Sequence, residues 1–161
     1  MNRRELIGAA ALLPLGMPLA ARAAPDDLDW LLFGSWQGEG EFMGRPSTAG
    51  LIARMAVGDR FLEILWQVDT KGGTPRSYEG RGLYRPGERG WDGYWFDSSG
   101  AIRPLTASAG AASFRVQWGT PETERGTSTY ALSGETLVVE DVVFTAQGPR
   151  AFATHRLKRR E

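Results

Sequence analysis

The chain has 161 residues, 42% hydrophobic and 24% charged, which suits one globular domain and is short for two. Its 19 Lys and Arg balance its 19 Asp and Glu, which excludes electrostatic capture of nucleic acid or of an anionic membrane surface. Cysteine is absent, excluding disulfides, thiolate metal sites, a thiol nucleophile and a lipid-modified N-terminal Cys.

Residues 1–23 read as a signal peptide. Arg3 and Arg4 form a basic start, Leu6 to Ala21 is apolar but rich in Ala, Gly and Pro, and Ala21-Arg22-Ala23 has the small-x-small pattern of a cleavage site. The run Arg3-Arg4-Glu5-Leu6-Ile7 resembles a twin-arginine export signal, and Pro14, Pro18 and Arg22 argue against a spanning helix. The expected product is periplasmic or secreted, has no stable membrane insertion, and comprises one domain over 24–161 with a net charge near −2.

Within that domain, Asp27 can cap a short helical turn from Leu28 to Phe33, ended by Gly34. No further helical periodicity follows. Apolar runs of strand length succeed one another instead: 36–43, 48–57, 60–68, 77–84, 91–97, 101–107, 112–118, 124–132, 135–146 and 150–158. Gly58-Asp59, Ser98-Ser99-Gly100, Ser133-Gly134 and Gln147-Gly148-Pro149 are hairpin signals, so consecutive strands pair antiparallel. Ten such strands leave two exposed edges unless they close, which predicts an all-β fold: one ten-stranded antiparallel up-and-down barrel.

Alternation assigns side chains to faces. Leu62, Ile64, Trp66 and Val68 form one inward row, and Phe114, Val116 and Trp118 another, while Trp36 and Phe42 share parity with Gly38 and Gly40. Glycines at 38, 40, 80, 82 and 93 are expected to vacate part of the interior, leaving a lumen lined by Trp66, Tyr78, Tyr84, Trp95 and Trp118. Arg103, if inward, offers a bidentate clamp for a ligand carboxylate; if outward, it pairs with Asp or Glu. Trp91 and Trp95 face opposite to Tyr94 and Phe96, and the latter pair would suit a homodimer contact.

The chemistry-bearing residues are sparse. The sequence has one histidine, His155, so a metal site built from several His or Cys ligands is excluded, and no GxSxG elbow occurs. Gly38-Glu39-Gly40 and Gly80-Arg81-Gly82 are too short for phosphate loops and lie in strands. An enzyme would have to use carboxylates from among Glu63, Glu79, Asp97 and Glu140-Asp141; alternation turns Glu63 and Glu79 outward, and the general expectation is that all of these meet water.

The opening GSWQGEGEF (Gly34 to Phe42) resembles the Gly-x-Trp start of calycin (lipocalin-type) barrels, and in particular the GxWxGxG start of nitrobindin-like barrels. RFLEI (Arg60 to Ile64) and GYWFDSSG (Gly93 to Gly100) resemble a bacterial domain-of-unknown-function family of the same barrel type, and the similarity runs from about Leu28 to Arg159. The resemblance implies a structural role for Trp36 at the closed end, covered by a basic residue of the last strand, for which Arg156 is the candidate. It also implies haem as an alternative cofactor, with His155 in RAFATHRLKRR as its ligand, against the plainer role of a hydrogen-bonded core histidine. The leading expectation is a non-catalytic barrel that needs no cofactor and takes a small apolar or amphipathic ligand, with the haem protein and the lumen-carboxylate enzyme as alternatives.

Overall fold

The computed structural model describes residues 33–161. The signal peptide and the helical turn proposed for Leu28 to Phe33 lie outside these residues, except for Phe33 itself. The described residues form ten strands: β1 (Gly34–Phe42), β2 (Arg45–Ala56), β3 (Phe61–Thr70), β4 (Ser77–Gly87), β5 (Gly90–Asp97), β6 (Ile102–Gly110), β7 (Ser113–Trp118), β8 (Gly126–Ser133), β9 (Thr136–Thr145) and β10 (Gly148–Arg159). Each pairs antiparallel with the next, and β1 pairs with β10, closing the barrel and leaving no sheet edge free.

Turn chemistry fixes the registers. Val57, Gly58 and Asp59 all take positive φ between β2 and β3, and Met43 and Gly44 do so between β1 and β2. Such conformations suit tight hairpins, where strand twist must be matched. At two positions glycine serves close approach. A Cβ at Gly38 would lie 1.9 Å from the Arg156 carbonyl oxygen, and one at Gly40 2.0 Å from that of Thr154. These glycines bring β10 against β1 and do not vacate the lumen, contrary to expectation. Gly80 and Gly82 clear space that is already occupied: Trp95 lies over the first and the ring of Tyr84 over the second.

The two ends of the barrel are filled differently. At the end holding the β2–β3, β4–β5, β6–β7 and β8–β9 turns, Leu51, Leu62, Tyr84, Trp91, Phe114, Leu137 and Leu157 are all buried. Phe114 is fully buried and meets Tyr84, Trp91 and Tyr130 with centroid distances of 5.5, 6.2 and 6.2 Å. Trp36 closes this end, 2% exposed. The guanidinium over its ring, at 4.4 Å, belongs to Arg159, whose backbone pairs with Trp36. Arg156 instead pairs with Glu39 and points to solvent, so the expected cap is displaced by three residues.

At the opposite end β10 carries a bulge between Ala151 and Ala153, with Phe152 as the extra residue. The bulge reverses the alternation that a regular strand would impose, so Phe152 turns inward and Ala151 is exposed. Outside, Tyr94, Phe96 and Ile102 form an exposed apolar belt on β5 and β6. Glu63 does face outward, yet it is only 5% exposed, because Arg54 (2.7 Å) and Arg81 (3.2 Å) close over its carboxylate.

Candidate functional site

A cavity of about 290 Å³ opens at the end opposite the Trp36 cap. Its apolar wall comes from Phe42, Trp66, Tyr78, Tyr84, Trp95 and Trp118, with Phe152 and Tyr130 completing the ring of aromatics. Alternation along β3, β4, β5 and β7 delivers most of these, since every second residue of a barrel strand faces in. Phe42 stacks on Tyr78 at 5.7 Å, while Phe152 sits edge-on to Phe42 and to Trp118, 6.3 Å from each. The six side chains proposed from sequence as wall and clamp, Trp66, Tyr78, Tyr84, Trp95, Arg103 and Trp118, all border this one cavity.

Its polar groups fall into two sets. In the first, Arg103 Nη1 donates to Asp97 Oδ2 at 2.6 Å, and Nη2 donates to Glu124 Oε2 at 3.0 Å. Arg103 therefore faces inward but is already engaged at both ends of its fork, and the clamp anticipated for a ligand carboxylate is closed by the protein's own acids. Its guanidinium also lies over Trp118 at 5.8 Å. Asp97 accepts the Ser99 backbone N–H and the Ser99 hydroxyl, and its side chain is 2% exposed. Burial opposes ionisation, but the bonds from Ser99 and Arg103 prevail and hold its carboxyl below the ordinary value. Trp95 Nε1 donates to the Tyr78 hydroxyl at 2.9 Å, which fixes both rings.

The second set surrounds Asp141 on β9. The Ser128 hydroxyl donates to Asp141 Oδ1 at 2.5 Å, and no protein group among the described residues bonds Oδ2. Burial raises the Asp141 pKa to about 6, assisted by the charge of Glu140 and opposed by the Ser128 bond. The Tyr84 and Tyr130 hydroxyls bond each other nearby; burial pushes both above the usual tyrosine range, and the charge of Asp141 adds to it. Asp97 and Asp141 thus overturn the expectation that all the acids meet water: both side chains border the cavity, and their environments move them in opposite directions.

His155 stands apart. It faces inward and is fully buried, but it does not border the cavity; Trp66 meets it edge-on at 5.4 Å. Its Nε2 is 2.8 Å from Ser47 Oγ on β2, and Nδ1 has no protein partner among the described residues. Burial lowers its pKa to about 4, so the ring is neutral at neutral pH. Ser47 and His155 place a hydroxyl beside an imidazole, the first two members of a nucleophilic triad. With both side chains fully buried and no carboxylate on Nδ1, the pair lacks the access and the third member that nucleophilic catalysis requires. As a haem ligand the ring could offer only Nδ1 without giving up Ser47, but it is fully buried against Trp66 and does not border the cavity, so the residues present do not fit that group.

Alternation along β8, β9 and β10 was the unread part of the wall. Ser128 and Tyr130 share parity with Gly126, and Asp141 with Leu137, Val139 and Val143, a signal that could have placed them inside. Phe152 had no such signal, because the bulge reverses its parity. No group of three or more His, Cys, Asp or Glu among the described residues is arranged to hold a metal.

No protein-family model and no curated protein sequence matches the chain. Among solved structures, Rv2717c from M. tuberculosis superposes with a TM-score of 0.61, covering 86% of this chain and 99% of its own, at 20% identity. At that identity the similarity concerns the fold alone.

Proposed function

We propose that the protein is an exported, non-catalytic barrel that binds a small amphipathic molecule in the aromatic cavity at its open end. The observation that carries this is the unequal filling: the Phe114 cluster makes one end solid, while the other holds about 290 Å³ behind a wall of aromatic rings with a few convergent polar groups. At roughly 30 Å³ for each water in the liquid, that space corresponds to about ten waters, and so to a ligand of some ten to fifteen non-hydrogen atoms. Long-chain fatty acids, retinoids and haem exceed it and would project from the mouth, so compact molecules fit it best.

The calycin-like reading of the barrel is supported by the Trp36–Arg159 cap at the sealed end, and export by the basic start and cleavage pattern of residues 1–23. The Tyr94, Phe96 and Ile102 belt is the physical basis for a homodimer, to be checked by sedimentation of the purified protein. The binding reading is tested by titrating the purified protein with compact aromatic amphiphiles while following tryptophan emission, since Trp66, Trp95 and Trp118 border the cavity. A saturable change is expected. No change with any probe of that size overturns the reading.

A further inference from the structure

We infer that the ligand carries a protonated amine and that Asp141 is its counter-ion, an inference that rests on the cavity being a binding site. The charged residues bordering the cavity are Asp97, Arg103, Glu124, Asp141 and Arg150, three acids against two bases. Arg103 is engaged by Asp97 and Glu124 together, and Arg150 is exposed at the rim. That leaves the Asp141 carboxylate with no cation, and with Oδ2 bonded to no described protein group.

An unpaired carboxylate among aromatic rings is costly, and a cation brought beside it recovers much of that cost. The surroundings also suit a cation independently of Asp141. Ring faces attract positive charge, and Arg103 over Trp118 shows this wall already doing so. A ligand carboxylate would meet the opposite: Asp141 repels it, the Arg103 guanidinium is closed by its own acids, and Arg150 offers only a solvent-screened charge at the rim. A neutral alcohol could bond Oδ2 but would leave the charge uncompensated. Tyr78 and Tyr84 from β4, Tyr130 and Ser128 from β8, and Glu140 beside it are the polar and titratable groups around Asp141, and none of them supplies a positive charge. With its pKa raised to about 6, Asp141 is still mainly ionised at pH 7.5, where an alkylamine is also charged. Cavity size then points to an arylalkylamine of about a dozen non-hydrogen atoms.

The test is calorimetric titration at pH 7.5 with four matched probes: 2-phenylethylamine, 2-phenylethanol, phenylacetate and ethylbenzene. The amine is expected to bind at least tenfold tighter than the alcohol and the acid, and Asp141→Asn to erase that preference while the variant still melts cooperatively. The alcohol or the acid binding as tightly as the amine to the unaltered protein, or the preference surviving Asp141→Asn, overturns the amine inference. Binding of ethylbenzene without binding of the amine overturns it too and leaves the cavity reading standing. Failure of all four probes overturns both.

Discussion

The two ends of this barrel use the same kinds of residue to opposite effect. At the sealed end, Tyr84, Trp91 and Phe114 point at one another and fill the section; at the open end, Trp66, Trp95 and Trp118 are held back against the wall. The difference lies in where each ring is held. Trp95 lies over Gly80 and is held by its bond to Tyr78, and Trp118 lies over Gly126. Aromatic content alone therefore does not distinguish a core from a binding cavity. Where each ring is directed does: Tyr84 also lies over a glycine, Gly82, yet its ring meets Phe114.

Truncation should expose this contrast most strongly. Phe114→Ala removes a fully buried ring from the sealed end and is expected to cost about 3–5 kcal/mol, whereas Trp118→Ala, already facing open space, should cost about 1–2 kcal/mol. Chemical denaturation of the two variants measures both. Equal losses would mean that the open end is as tightly packed as the sealed one.

Acid titration sharpens the comparison next, because two inward-facing groups have opposite linkage. The folded-state pKa of Asp141 is raised to about 6 from an ordinary 3.8, so its contribution to stability is fully present below pH 4 and is lost as pH rises through 6. For His155 the folded value falls to about 4 from 6.5, so its contribution is present above pH 6.5 and is lost as pH falls through 4. Each shift corresponds to roughly 3 kcal/mol at 1.36 kcal/mol per unit, with opposite slopes. The unaltered protein should therefore show a nearly flat melting temperature between about pH 4 and 6. Asp141→Asn should melt lower as pH falls across that window, and His155→Gln, which can still bond Ser47, should melt higher. Parallel profiles for the two variants would contradict the assigned burial.

Gly80→Ala places a methyl group 2.0 Å from the Trp95 ring, which must swing away. The expected loss is about 1–3 kcal/mol from overpacking, with a shifted tryptophan emission as the Tyr78 bond breaks. The smallest effect is expected at the cap: Arg159→Ala removes the cation over Trp36 at the cost of about 1 kcal/mol, while Arg156→Ala should be close to neutral.

Much of this arrangement was legible in the chain, for a physical reason. Strand alternation is strict, so Leu62 to Val68 and Phe114 to Trp118 declared their faces, and the turn residues fixed ten strands to within a few positions. What escaped was set by backbone pairing. Register puts Arg159 rather than Arg156 beside Trp36, and close approach of β10 explains Gly38 and Gly40, which reading them as open space did not. The inward acids were visible as residues but judged by the usual cost of burying charge. Asp97 meets that cost through Arg103 and Ser99, a partnership formed across a turn and a neighbouring strand.

The bulge at Phe152 makes the mouth of the barrel sensitive to residue count as well as residue type. Deleting that phenylalanine would straighten β10 and restore simple two-residue periodicity, with Arg150 still opposite Val143 and Ala151 still opposite Val142, so that the mouth loses one ring and nothing else changes face. A single-codon deletion there would thus take one ring from what greets an incoming molecule while leaving the Phe114 end untouched, a route by which barrels of this shape could change their choice of guest without rebuilding their foundations.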